Sequence, residues 1–212
     1  MNVTIKRFTL DPDAICAEAA AICTDYQGDH LKALAGAMKA GHESVLEHAS
    51  ATFLVEGVSR VLLAQITRHR IASFSVQSQR YTGVTPAWVV PPNVKEQGFE
   101  LSYIDRCRSC YELYCDMVRC GVPAEDARFV IPQGATCRLM LTMNLRELRH
   151  FFSLRCCNRA QWEIRALADR MLALCKAEAP DVFANAGPGC VRGHCPEGKR
   201  SCGNPRKADD FQ

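Results

Sequence analysis

The chain has 212 residues, 48% of them apolar, and carries 26 Lys and Arg against 23 Asp and Glu, for a net charge of +3. That length and apolar content can bury one large core or two small ones. The mild charge argues against a dedicated nucleic-acid binder, and no stretch reaches the roughly 18 apolar residues of a membrane helix. The opening MNVTIKRFTL lacks the apolar run of a secretory signal, so a cytoplasmic location is expected. In that compartment the thirteen cysteines are expected to be reduced thiols that behave as small hydrophobes.

Taken in chain order, Val3 to Phe8 alternates weakly and predicts a first strand. Asp11-Pro12 predicts a helix start, with Asp as N-cap and Pro at the first helical position; Cys16 and Cys23, seven apart, are expected on one buried face. A second helix over Leu31 to Ala40 should end at Gly41 in a left-handed cap. Ala51, Phe53 and Val55 alternate with polar residues and predict a half-buried strand. Ser59 is placed to cap a helix through Leu62, Leu63 and Ile66 that is expected to run into an arginine segment. TPAWVVPPN then reads as a proline-broken loop, followed by a long helix to about Cys120 and a short one from Pro123. Cys107 and Cys110 have redox spacing but fall inside that long helical pattern, so packing is the expected role. Thr136 to Met143 predicts a strand and Leu145 to Leu154 a helix, and Asn158-x-x-Gln161 resembles a capping box opening a helix to about Ala179. The reading is one α+β domain with a mixed sheet core and several long helices. Residues 1–185 are expected as the catalytic domain and 186–212 as an irregular Cys-, Gly- and Pro-rich tail.

Three segments carry chemistry. RHRIASFSVQSQRY, residues 68–81, holds three arginines, a histidine and three serines inside a run from Gly57 to Lys95 without a single acid. Bidentate Arg forks with short hydroxyl donors are the groups a phosphate needs. GHESVLEH, residues 41–48, places His42 just after a helix end, where loop residues often face ligands; its two histidines lack the four-residue spacing of a zinc pair. SLRCCNRAQWEIR, residues 153–165, adds three arginines, and Arg138 lies in a second acid-free run from Ala127 to Arg146. A bland alternative for Arg165 is a helix-surface ion pair with Asp169.

Together these segments resemble the flavin-dependent thymidylate synthases. Arg68-His69-Arg70, seven further residues and Ser78 fit the family signature; His42-Glu43-Ser44 and Gln161-Trp162-Glu163-Ile164-Arg165 match in the same order. One departure is Ser153-Leu154-Arg155, where Asn-Leu-Arg is expected of many members. The resemblance implies a homotetramer with active sites at subunit interfaces. It also implies FAD as cofactor, NADPH as reductant and 5,10-methylenetetrahydrofolate as carbon donor for the reductive methylation of dUMP to dTMP. By motif position, His42, Ser44, Arg68, His69, Arg70, Arg155 and Asn158 would hold FAD, and Gln65, Ser78, Gln79, Arg80, Arg138 and Arg165 would hold dUMP. Arg165 would be catalytic, against the uracil ring. No metal, nucleic-acid or membrane partner is expected. Two rivals are a single-strand-binding module, with Phe74 and Tyr81 as stacking platforms, and a zinc-stabilised tail using Cys190, His194, Cys195 and Cys202. The first lacks basic stripes on its helices, and the second has cysteine spacings unlike the usual close pairs.

Overall fold

The computed structural model describes residues 1–193 and 195–211. Strand β1 (Asn2–Phe8) leads into helix α1 (Pro12–Thr24) and α2 (His30–Lys39), and a 3₁₀ turn over Glu43–His48 precedes β2 (Ser50–Ser59). Helix α3 (Arg60–Ile66) and β3 (Ala72–Val76) follow, then α4 (Pro92–Glu96), α5 (Glu100–Arg119) and α6 (Ala124–Ala127). Strand β4 (Thr136–Asn144) feeds α7 (Leu145–Arg155), α8 (Trp162–Glu178) and α9 (Pro180–Phe183), and three short 3₁₀ turns complete the tail. The α+β class expected from the sequence holds.

The sheet has four strands in the order β1-β2-β4-β3. It is antiparallel rather than mixed. The β2–β4 pair shows that direction in its register, where Thr52 meets Thr142 at 2.9 Å and the Leu145 N–H reaches the Ala49 carbonyl. Gly57, at φ 66, takes a left-handed conformation within β2 that a side chain would strain.

The packing gathers into two compact units. The first comprises Met1–Asn2, Val55–Thr67 and Ser75–Leu139, and the second Val3–Leu54, Arg68–Phe74 and Met140–Gln212. In the first, Val84, Tyr114 and Ala127 form a small core against Tyr111, Cys115, Val122 and Ile131. The second is larger, with Leu148, Phe151 and Phe152 of α7 buried alongside Leu167, Met171 and Leu172 of α8. Phe152 lies edge-on to Phe183 at 5.8 Å, which seats α9 against α7.

Two helix ends form from the local signals expected of them. Ser59 Oγ accepts the Leu62 N–H at 3.1 Å and caps α3. Beyond α2, Gly41 at φ 80 lets its own N–H reach Met38 and the His42 N–H reach Ala37, closing the helix as expected.

Four further expectations need correction. Asp11 occupies the N-cap position ahead of Pro12 as expected, but in a left-handed conformation whose side chain makes no capping bond. Cys16 is buried but Cys23, in the last turn of α1, is exposed. The helix over residues 60–66 does not enter the arginine segment, because the chain joins the sheet as β3. The cap of α8 is Gln161, whose Oε1 accepts the Glu163 and Ile164 N–H groups, whereas Asn158 turns its amide to the Asn204 carbonyl at 2.9 Å. Cys107 is buried within α5 and all the described cysteines are free thiols.

Candidate functional site

Helix α7 builds the centre of the site in the second unit. Asn144 caps it by accepting the Glu147 N–H at 2.8 Å. Residues 147, 151 and 155 then recur every four positions and share one helical stripe. His69 lies along that stripe. Its Nδ1 sits 2.9 Å from Glu147 Oε1, its ring lies edge-on to Phe151 at 5.0 Å, and its Nε2 accepts the Arg155 Nε–H at 3.1 Å. An acceptor at Nε2 carries no proton, so the ring proton sits on Nδ1 and is donated to Glu147. Burial, the largest influence, holds the His69 pKa below the ordinary 6.5; Arg155 and His150 also lower it, while Glu147 opposes them. The imidazole is therefore neutral.

Arg68 and Arg70, on either side of His69, are exposed. Burial and then the neighbouring Arg68 push Arg155 below the ordinary arginine range, which places two guanidinium groups within electrostatic reach of each other. Two adjacent cations favour an anion between them. Arg155 and Asn158 line a cavity of about 410 Å³ whose wall also carries Arg159, Arg192 and Arg206, with Glu197 as the one acid among the lining residues. His69 stands behind Arg155 rather than in that wall.

Arg165 projects from the first turn of α8 and donates to the Asn158 carbonyl at 2.7 Å. The expected surface alternative, pairing with Asp169, is displaced by the tail: Arg206 donates to both Asp169 oxygens at 2.8 Å. The structure thus brings Arg68, His69 and Arg155 together, and joins Arg165 to Asn158. His42 and Ser44 line a different cavity of the same unit, with Tyr26 and Lys32. Both are exposed, whereas Glu43 and Glu47 of the same turn are tied to Arg149 and Arg146 of α7.

The first unit holds the other arginine-segment residues. Ser78 Oγ accepts the Arg80 N–H at 3.1 Å, and the Gln77 N–H reaches the Arg138 carbonyl, so Ser78, Arg80 and Arg138 share one neighbourhood at the β3–β4 ends. Arg80 is paired with Glu125 at 2.8 Å, so this chain itself supplies a countercharge to the acid-free run. Gln65, on α3, bonds the Val61 carbonyl at 3.4 Å, and Gln79 is half-buried.

Sequence reasoning missed Glu147 and Arg206. Glu147 is the first acid after the acid-free run ending at Arg146 and falls among the buried positions of α7, a signal that was readable. Arg206 lies in an irregular tail with no periodicity to mark it. Among the described residues no group of three or more His, Cys, Asp or Glu is arranged to hold a metal; His194, one of the four tail candidates, lies outside them.

The fold resembles the crystal structure of a UMP/dUMP methylase from Streptomyces cacaoi, with a TM-score of 0.78 at 24% identity over 86% of this chain and 93% of that one. Residues 4–181 match the family model described as thymidylate synthase complementing protein. The flavin-dependent thymidylate synthase of Geobacter sulfurreducens is 47% identical over 222 aligned residues, covering 96% of this chain and 94% of that protein. That of Nitratidesulfovibrio vulgaris is 49% identical over 183, covering 80% and 74%. The chain belongs to the flavin-dependent thymidylate synthase family.

Proposed function

We propose that this protein methylates dUMP reductively to dTMP in de novo dTMP biosynthesis, with FAD bound, 5,10-methylenetetrahydrofolate as carbon donor and NADPH as reductant. The observation that carries the reading is that Arg155, hydrogen-bonded to the sequence neighbour of Arg68 and Arg70, lines a cavity whose described wall residues include four arginines and one acid. Such a wall suits the pyrophosphate of a dinucleotide, since guanidinium forks match phosphate oxygens. Arg68, Arg70, Arg155 and Asn158 would hold FAD there, with His42 and Ser44 as further ligands. Bound flavin would supply the redox chemistry, which side chains cannot. Gln65, Ser78, Gln79, Arg80 and Arg138 would hold dUMP.

Carbon–carbon bond formation at C5 of uracil requires electron density there. Loss of the N3 proton provides it if a fixed cation stabilises the resulting anion, and Arg165 is suited to that role because it stays charged in a dry site. Ser78 is then a binding group rather than a nucleophile, in keeping with its hydroxyl's bond to the Arg80 N–H.

Residues 1–185 form the catalytic domain in this reading and 186–212 its tail. A cytoplasmic homotetramer with active sites between subunits is the assembly it entails. Large apolar side chains left exposed on the first unit, Phe99, Leu101, Leu113 and Phe129 at 50–85% exposure, support burial against further copies.

The test is the visible spectrum of the purified protein, followed by NADPH oxidation with and without dUMP. Flavin bands that survive gel filtration, and oxidation that responds to dUMP, are expected. A colourless protein that also fails to bind added FAD would overturn the proposal.

A further inference from the structure

We infer that His69 is a positioning residue that aims the Arg155 guanidinium at the anionic part of the flavin cofactor, rather than a group that touches the cofactor through its ring. The inference rests on the proposed reading that Arg155 binds FAD. The imidazole is buried, and both nitrogens are engaged within the protein: Nδ1–H donates to Glu147 at 2.9 Å and Nε2 accepts from Arg155 Nε at 3.1 Å. The ring plane is fixed by edge contacts with Phe151 at 5.0 Å and His150 at 6.0 Å. Holding Nε sets the plane of the whole guanidinium, because its nitrogens are coplanar. The terminal amino groups then reach the cavity wall in one orientation instead of several.

The spacer has a chemical purpose. Glu147 and Arg155 lie eight residues apart, about 12 Å along the helix axis, which is too far for a direct pair. A carboxylate placed on the guanidinium would cancel the charge that an anionic ligand needs. A neutral imidazole transmits the orientation set by Glu147 and leaves that carboxylate remote. The hydrogen bond at one ring nitrogen decides which tautomer the other presents. Glu147 therefore secures the acceptor at Nε2, and protonation of His69 would turn that acceptor into a donor facing Arg155.

The experiment measures FAD affinity by titrating deflavinated full-length protein and its His69→Phe, His69→Gln and Arg155→Ala variants, together with the double variant His69→Phe/Arg155→Ala. His69→Phe keeps the aromatic shape and removes the acceptor, and should weaken FAD roughly ten- to a hundredfold, by analogy with the loss of a partner that orients a metal ligand. His69→Gln, whose amide oxygen can accept the Nε–H, should recover most of that loss. The double variant should bind FAD no more weakly than Arg155→Ala alone, because the two residues act as one unit. An undiminished His69→Phe effect in the Arg155→Ala background would assign His69 a merely structural role and overturn the inference. Wild-type FAD affinity in Arg155→Ala would instead remove Arg155 from the flavin site, so the site reading fails first and the inference with it. Nitrogen NMR of wild-type His69 stands apart from any variant's folding. A neutral ring protonated at Nδ1 at neutral pH is expected, and an imidazolium or an Nε2–H ring would contradict the relay.

Discussion

Arg165 and His69 make opposite demands on their surroundings, one for a lasting charge and the other for none. With Asp169 engaged by Arg206, Arg165 is not neutralised by the acid four residues along its helix. A surface ion pair would contribute under about 1 kcal/mol, and its removal would be nearly silent. As a cation at the ionised uracil, Arg165→Ala should instead lower the rate of dTMP formation by about 10²–10³, as for a lost oxyanion donor, with flavin content near wild type. Arg165→Lys should recover only part, and near-normal turnover of the Ala variant would dismiss the catalytic role. Ser78→Ala should weaken dUMP binding by about 1–2 kcal/mol yet leave measurable synthesis, with no nucleotide–protein adduct by mass spectrometry. His69 sets a pH dependence. Burial first, with help from Arg155 and His150 and against Glu147, holds its native pKa below 6.5, so the unfolded chain gains a proton near that value before the native site does. Stability should therefore fall as pH drops below 6.5 toward the lower native pKa. Denaturation midpoints across that window should slope less in His69→Phe; an identical slope would mean other groups govern it. The identities of these residues were legible because their motifs are contiguous. Arg206 was not, and Glu147 was marked only as the first acid after an acid-free run, because each acts on a partner distant in sequence.

At the scale of elements, local chemistry set the ends that were legible. Ser59 accepts the Leu62 N–H, and Gly41 supplies the left-handed cap of α2; both act within a few residues. Strand β3 was hidden because its pairing depends on β4, as in the Gln77 N–H to Arg138 carbonyl bond, sixty-one residues away in the chain. The cap falls on Gln161 rather than Asn158 because α8 begins only at Trp162, within reach of the Gln161 side-chain oxygen. Among these ends, the cap of α7 matters most for the site, because it sets the helix that carries Glu147, Phe151 and Arg155. Asn144→Ala should cost about 1 kcal/mol of stability, typical of a lost N-cap, and lower the melting temperature by roughly 2–4 °C. Unchanged denaturation would show that the helix start is held by strand β4 alone.

For the whole molecule, the tail is fastened through Arg206. It holds Asp169 and the Cys156 carbonyl and lies 4.2 Å from the Phe211 ring, while Phe211 itself is buried. Periodicity could not reveal this, because the described residues of the segment form no regular helix or strand beneath their 3₁₀ turns. Thiol labelling offers a check on the packing. Exposed Cys23, Cys120 and Cys202 should react first, and buried Cys16, whose pKa burial pushes up to about 11, should react only on unfolding, as should Cys156 and Cys175. The most direct test of the function is conversion of dUMP to dTMP by the wild-type protein stripped of flavin and then reloaded, with methylenetetrahydrofolate and NADPH supplied. The account predicts no dTMP from the flavin-free protein and its return on adding FAD. Equal synthesis without flavin, or none from protein saturated with FAD and both substrates, would contradict it.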